Sequence, residues 1–271
     1  MSRAERMRVV VTVKAYPGVG RTAGETICVA GVRCDRGVPE WVRLWPVQFR
    51  ELRRELQFQK WQLIELEATP SDRDRRPESF RPNLDSLRLG SVISPRRDWA
   101  ERWRLLGELP GATTLCELIR AQDQQPAASL GLARVLPGAQ AIVRAGPVWT
   151  AEKELLAHIA AQPNLFREDA LEILKPAPFQ VVYRWHCADD SCPGHEHATC
   201  DWEAGQAARK FMKRYGEPSQ QLLQRFGDAM LGADHDTFFF VGNQHQYPST
   251  FLVLGAFYPP KGSRPAPTLF G

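Results

Sequence analysis

Two neighbouring stretches, Ile27-Cys28-Val29-Ala30-Gly31-Val32 and Trp41-Val42-Arg43-Leu44-Trp45, decide how the chain is read. Both are rich in β-branched and aromatic residues, and a turn signal, Asp35-Arg36-Gly37, lies between them, so they read as two strands. Alternation in the second puts Trp41, Arg43 and Trp45 on one face. Upstream, Val9-Val-Val-Thr-Val-Lys-Ala-Tyr16 reads as a buried strand, and Pro17-Gly18-Val19-Gly20 breaks it. Downstream, Phe49, Leu52 and Leu56 recur at the helical period, and Lys60 to Ala68 alternates as a fourth strand. The order strand, strand, strand, helix, strand is the opening of an OB-type barrel, whose helix follows the third strand. An SH3-like barrel fits less well, because a helix is rare at that place.

The rest of the chain is mixed. Residues 69–83 read as a charged, Pro-bearing loop, and Ser94 to Arg104 is basic with Trp99 and Trp103 at helical spacing. A short helix is expected over 113–121 and a strand over 139–145. Thr150 is a good N-cap for a helix to about Ala161, and a second short helix is expected over 167–174. Phe179, Val181, Tyr183 and Trp185 alternate in a clear strand. Glu203–Tyr215 and Ser219–Leu231 read as amphipathic helices, and Thr237–Val241 and Phe251–Phe257 as closing strands before a tail with Pro259, Pro260, Pro265 and Pro267. The expected class is α+β: a basic OB-like β-barrel over 1–110, a helical connecting region over 111–177, and an α+β domain with a Cys/His zinc loop over 178–271.

Charge is unevenly placed along the 271 residues. Residues 1–104 carry 21 Lys/Arg against 14 Asp/Glu, whereas 105–271 carry 14 against 17, so +7 faces −3. All but two of the N-terminal cations are arginine, whose planar fork suits phosphate and stacks on bases. This points to a nucleic-acid partner, DNA or RNA, for the N-terminal part. An Arg-rich chain is also what a GC-rich genome yields, and Asp72-Arg73-Asp74-Arg75-Arg76 reads equally as a solvated loop or a phosphate contact. On an OB-like sheet, Arg43 and Trp45 would form a stacking platform for single strands, with Arg53 and Arg54 adding phosphate contacts. The same alternation also describes a barrel interior closed by tryptophan.

Mean hydropathy is −0.36, and no run approaches the roughly 18 apolar residues of a membrane span. The charged start, Met1-Ser-Arg-Ala-Glu-Arg-Met-Arg, lacks the apolar centre of a signal peptide, so a cytoplasmic location with reduced cysteines is expected.

The densest chemistry is His186-Cys187-Ala-Asp-Asp-Ser-Cys192-Pro-Gly-His195-Glu-His197-Ala-Thr-Cys200, which gathers three of six cysteines and three of six histidines. Zinc takes four soft or borderline donors in a tetrahedron, and a compact loop with a Pro-Gly turn can wrap one. Cys187, Cys192, His195 and Cys200 are the expected ligands of a structural Zn2+, with His186 and His197 as alternates. The spacing is nearest to a zinc knuckle, whose first gap is two residues where this one is four. Cys28 and Cys116 lie in apolar runs and read as core; Cys200, too, could be an unliganded core residue.

Three protein ligands plus water would instead make a catalytic metal, with Glu196 or Glu203 as base, or Asp201 and Glu203 holding magnesium for a nuclease or hydrolase that also uses His195. The competing reading of Asp201 or Glu203 is a cap on the helix that follows. The zinc-deaminase, HExxH and PD-(D/E)xK patterns are absent, since no C-x-x-C exists, His197 directly follows Glu196, and Gly205 stands where the nuclease lysine would fall. Gly18-Val-Gly20-Arg-Thr-Ala-Gly24 lacks the phosphate-loop ending and reads as a hairpin or loop. Phe238-Phe239-Phe240 reads as core.

Thr26-Ile-Cys28-Val-Ala-Gly31-Val with Trp41-Val-Arg43-Leu-Trp45-Pro46, and Tyr183 through Asp201-Trp202-Glu203, resemble little-characterised bacterial proteins with paired OB-like barrels from anti-phage and mobile-element settings. The resemblance covers the first 70 residues and the 183–203 region. It implies nucleic-acid or nucleotide sensing in the bacterial cytoplasm and supplies no catalytic residues. The expected function is thus a zinc-stabilised, non-enzymatic nucleic-acid-binding protein. The alternatives are a metal-dependent nuclease or hydrolase, and a protein-interaction module that uses the acidic C-terminal half within a larger complex.

Overall fold

β1 (Glu5–Lys14) is buried on both sides along most of its length, which explains why its sequence is a continuous apolar run rather than an alternation. Met7, Val9 and Val11 point into one core, whereas Val10 and Val13 point into another. The computed structural model describes residues 3–97, 99–124, 126–164 and 167–265.

β3 (Gly24–Arg33), β4 (Glu40–Val47), β5 (Gln62–Pro70) and β6 (Ser79–Val92) complete the first sheet, and β2 (Gly18–Gly20) forms a hairpin with β3. The strands run in the order β1-β5-β6-β4-β3, and a β1–β3 pairing closes the ring into a five-stranded barrel. Every pairing is antiparallel except β4 with β6. With β2 set aside, the third and fifth strands are the parallel neighbours, which is the OB connectivity. Gly31 allows the closure: a Cβ there would stand 2.4 Å from the Val10 carbonyl oxygen.

Two local expectations fail in this barrel. Residues 49–56 form two short 3-10 turns, Phe49–Glu51 and Arg54–Leu56, not one helix, because Leu52 and Arg53 between them are extended. Phe49 still plugs the barrel end, edge-on to Phe58 at 5.0 Å and to Trp202 at 5.5 Å. The expected loop over 69–83 contains the start of β6, a 14-residue strand. Its register slips between Glu65 and Glu67, and the resulting bulge scrambles the period of two, as Pro82 and Gly90 do.

Beyond α1 (Ala100–Leu106) and α2 (Leu115–Ala121), the stretch 111–177 carries β7 (Leu130–Arg134), β8 (Gln140–Ala145) and α3 (Ala151–Ala161). No helix forms over 167–174. Arg167 instead donates to the carbonyls of Ala160 and Gln162 at the end of α3, and the Leu171 amide donates to Ala161. β9 (Phe179–Trp185), β10 (His195–Ala198), α4 (Trp202–Tyr215), β11 (Phe238–Asn243) and β12 (Phe251–Phe257) follow. Between α4 and β11, Ser219–Leu223 is helical and passes through a π-helical stretch, Gln224–Asp228, to Ala229–Leu231. Of the proline tail, Pro267 lies outside the described residues.

Two three-stranded sheets, β8-β9-β10 and β7-β11-β12, meet at two points. Val135, just past β7, bridges Cys187 antiparallel, and Thr199, just past β10, bridges Val253 of β12 in parallel. The ring therefore runs β7-β9-β10-β12-β11, repeating the first barrel's connectivity, with α4 between its third and fourth strands. Val181, Tyr183, Trp185, Phe239, Val241 and Val253 fill its interior under Ala204, Ala207 and Ala208 of α4. The outer faces of the two barrels share a third core, in which Val10, Ala30, Val32 and Trp61 meet Phe238, Phe240, Leu254 and Phe257. The Phe238-Phe239-Phe240 run is thus core on both sides. No helix among the described residues is long and apolar enough to cross a membrane.

Candidate metal centre and the Arg43 cavity

Thr114 caps α2 and forms a capping box with Glu117: its hydroxyl accepts from the Glu117 amide, and its own amide donates to the Glu117 carboxylate. That start sets Cys116 in the first turn, facing the β9–β10 connection. There the Sγ atoms of Cys116, Cys187 and Cys192 and Nε2 of His195 all lie within 4.8 Å of one another. Cys116 and Cys187 are 3.6 Å apart, and His195 Nε2 stands 3.6, 3.4 and 3.2 Å from Cys116, Cys187 and Cys192. Bond lengths of about 2.3 Å to sulfur and 2.0 Å to nitrogen give tetrahedral edges of about 3.8 Å between sulfurs and about 3.5 Å from sulfur to nitrogen. The four atoms thus have the spacing of a tetrahedral site, and the donor set, Cys3His, could hold a metal ion.

The loop is braced from outside the cluster. Asp189 accepts from Arg120 at 2.6 Å, from the Thr114 hydroxyl at 3.3 Å and from the Ser191 amide and hydroxyl. Those bonds hold its carboxyl well below the usual carboxylate range. Gly194 turns with φ +89°, where a side chain would be strained and would press on the His186 ring 3.0 Å away. Burial, with His197 and His186 nearby, lowers the His195 imidazole to about 4. It is therefore neutral near pH 7, as a metal ligand must be.

The cluster corrects one expected ligand. Cys200 is not part of it. After His195 the chain runs extended through β10, so Cys200 lies roughly 16 Å farther along. Its amide donates to Val253, its carbonyl accepts from Tyr16, and burial pushes its thiol up to about 12. The fourth donor is Cys116, read from sequence as core, which arrives from 71 residues upstream of Cys187. The legible signal was the Thr-x-x-Glu box at 114–117, which marks Cys116 as a helix-N-terminal cysteine. The alternates are outside the set too: His197 stacks on His195 at 5.6 Å, and His186 is exposed.

Asp201 and Glu203 do not join His195. Asp201, 6% exposed, caps α4 by accepting from the Glu203 amide at 2.8 Å, and its other oxygen pairs with the buried Lys60 ammonium. Glu203 stands 3.9 Å from the same ammonium. The cap reading of Asp201 therefore describes its geometry.

The face with Trp41, Arg43 and Trp45 looks toward the second barrel. Trp41 meets Phe240 edge-on at 6.1 Å. Arg43 is 4% exposed and donates from Nη2 to the Ser129 hydroxyl at 2.8 Å, while Ser129 in turn donates to the Glu78 carboxylate. Among the described residues its Nε has no hydrogen-bond partner and the side chain makes no ion pair. Trp45, 41% exposed, stands at the rim. Between the barrels a cavity of about 500 Å3 remains, lined by Arg43, Trp45, Cys28 and Cys200 and closed opposite by Leu252 and Leu254. The β5–β6 loop forms its lip. There Arg76 grips Asp74 with two nitrogens and donates to the Asn243 side chain at 2.8 Å. Arg53, between the two 3-10 turns, and Arg54, in the second, are exposed and do not line this cavity.

The Domain of unknown function (DUF8758) matches residues 5–108, and a second Domain of unknown function (DUF8757) matches residues 111–270. No curated protein matches the chain. Among solved structures, a murine DNA-binding protein bound with double-stranded DNA is similar at 11% identity, covering 94% of this chain and 97% of its own, with a TM-score of 0.27. A chain from a structure described as "Structural mimicry for functional antagonism" is similar at 10% identity, covering 94% of each, with a TM-score of 0.26. At such TM-scores neither likeness carries an argument about this protein. Because the second family model spans more than half of the chain, the protein belongs to the DUF8757 family.

Proposed function

We propose that this protein binds single-stranded nucleic acid on the first barrel and is held together by a structural zinc ion in the second. The observation that carries the binding reading is Arg43: a buried guanidinium with, among the described residues, an unpartnered Nε and no ion pair, beside Trp45, under a loop bearing Arg73, Arg75 and Arg76. These groups occupy the strand 2–3 face and the strand 4–5 loop, the surfaces OB folds use for oligonucleotides. Bases stack on tryptophan and arginine planes, and the exposed arginines of the loop suit phosphates.

Cys116, Cys187, Cys192 and His195 would hold the zinc. Four protein donors leave no open position, so the ion would clip α2 to the β9–β10 connection rather than activate water. His195 gives its Nε2 to that cluster and Asp201 is spent on Lys60 and the α4 cap, which supports a non-enzymatic reading.

Fluorescence anisotropy with a labelled oligothymidylate and a labelled oligouridylate, titrated at rising salt, tests the binding. The expected result is saturable binding whose log K falls linearly with log salt, by about 0.7 per phosphate neutralised. Binding that is absent at low salt would refute the reading.

A further inference from the structure

An oligonucleotide lying along an open OB face passes over several strands' worth of surface, and this face is not open. Two residues from Arg43, the half-buried Trp41 packs edge-on against Phe240, and Ala30 and Val32 of the neighbouring strand are packed against the second barrel. What remains beside Arg43 is the cavity of about 500 Å3, within the roughly 300–1,000 Å3 of small-molecule pockets. It shares its lip, Arg73 to Arg76 and Asn243 to His245, with an outer cavity of about 380 Å3 that Arg75 also lines.

The two compartments differ in chemistry. The inner walls are mostly apolar, Val13, Ala30, Leu252 and Leu254, with one buried guanidinium and an indole at the edge. The outer one is cationic. Asp74 is neutralised by Arg76, whose bonds together with the Ser79 hydroxyl hold its carboxyl well below the usual range against the effect of burial. Arg73 and Arg75 make no ion pair among the described residues. An apolar slot for a flat ring, a buried cation beside it and free cations at the mouth match one nucleotide unit.

We infer that this double cavity takes a single nucleotide, with the base in the inner compartment against Arg43 and Trp45 and the phosphate at Arg73 and Arg75. The unit is either a free nucleoside monophosphate or the terminal nucleotide of a strand, because the packed Trp41–Phe240 contact stops a chain from continuing along the face. The inference rests on the nucleic-acid reading above and narrows it from a strand to a strand's end.

The experiment is calorimetric titration with the four common nucleoside monophosphates, together with competition between a linear oligothymidylate and a closed circle of the same length. One site per chain for at least one monophosphate, and stronger binding of the linear strand than of the circle, are expected. Arg43→Gln should weaken monophosphate binding by about 10-fold or more. Since Arg43 is also bonded to Ser129 and its loss can unsettle the fold, Trp45→Ala at the exposed rim is the second variant, with a loss of about 10-fold expected. Unchanged binding by Trp45→Ala would overturn the placement. Equal binding of circle and linear strand with no monophosphate binding would overturn this inference and leave the nucleic-acid reading standing. Monophosphate binding without strand binding would overturn the nucleic-acid reading and the strand-end arm together, keeping the cavity for a free nucleotide alone, and no binding of any probe would overturn both.

Discussion

Replacing Cys116 by serine removes the one cluster donor that lies outside the Cys/His-rich segment. A metal bound to Cys116 and Cys187 closes a loop of 71 residues, joining α2 to the end of β9. Treated as a cross-link on the unfolded chain, a closure of that length is worth about 4 kcal/mol. For a unit of this size the loss lowers Tm by roughly 10 °C. The assay is elemental analysis of protein purified without chelator or affinity tag, with a thermal melt of the same sample. Wild type should carry about one zinc per chain, and Cys116→Ser should lose most of it and melt near the chelator-treated wild type. Cys200→Ser should keep its zinc, because Cys200 is bonded into the β10–β12 junction and faces the Arg43 cavity. Full zinc in Cys116→Ser, or zinc lost from Cys200→Ser, would refute the ligand set.

Other outcomes follow from the buried charges and the close strand contacts. Asp201→Ala leaves the buried Lys60 ammonium with Glu203, 3.9 Å away and half-exposed, in place of its close partner and should cost about 3 kcal/mol in denaturant unfolding, whereas Asp201→Ala combined with Lys60→Met should recover much of it; a double variant no better than the single would count against the pair. Lys14, buried and near Lys60, is lowered from 10.5 to about 8 despite Glu203 and Asp201. Between pH 8 and 10.5 the unfolded chain keeps that proton and the folded chain sheds it, so this site's contribution to stability rises with pH across the window, by at most on the order of 3 kcal/mol. Unfolding free energies of wild type and Lys14→Met, compared at both ends of the window, should show that rise in wild type alone. Gly31→Ala forces a methyl against the Val10 carbonyl and the Val9 side chain where β1 meets β3; a Tm within a degree or so of wild type would show the barrel closure to be looser than described.

Local pattern was enough for much of the chain. The strands around Val9, Ile27, Trp41, Lys60 and Phe179 are long, β-branched and half or wholly buried, so their period survives in the sequence. The α3 and α4 helices begin at Thr150 and Asp201, residues whose side chains accept from the first turn. β6 escaped because its bulge and Pro82 shift the apolar positions off parity. The expected helix at 49–56 failed because three apolar residues can plug a barrel end from two tight turns as well as from one helix.

The sequence by itself determined the α+β class, the opening strand order of a barrel, and a Cys/His centre around Cys187, Cys192 and His195. Each of these rests on residues close together in the chain, where geometry follows from backbone period and turn chemistry. Only the tertiary structure decided that Cys116 and not Cys200 completes the centre, that Trp41 packs against Phe240, and that Arg43 ends up buried beside a cavity between two barrels. Those facts depend on contacts between segments 71 or more residues apart, or on which face of a strand meets a partner element. Spacing along the chain carries no record of either.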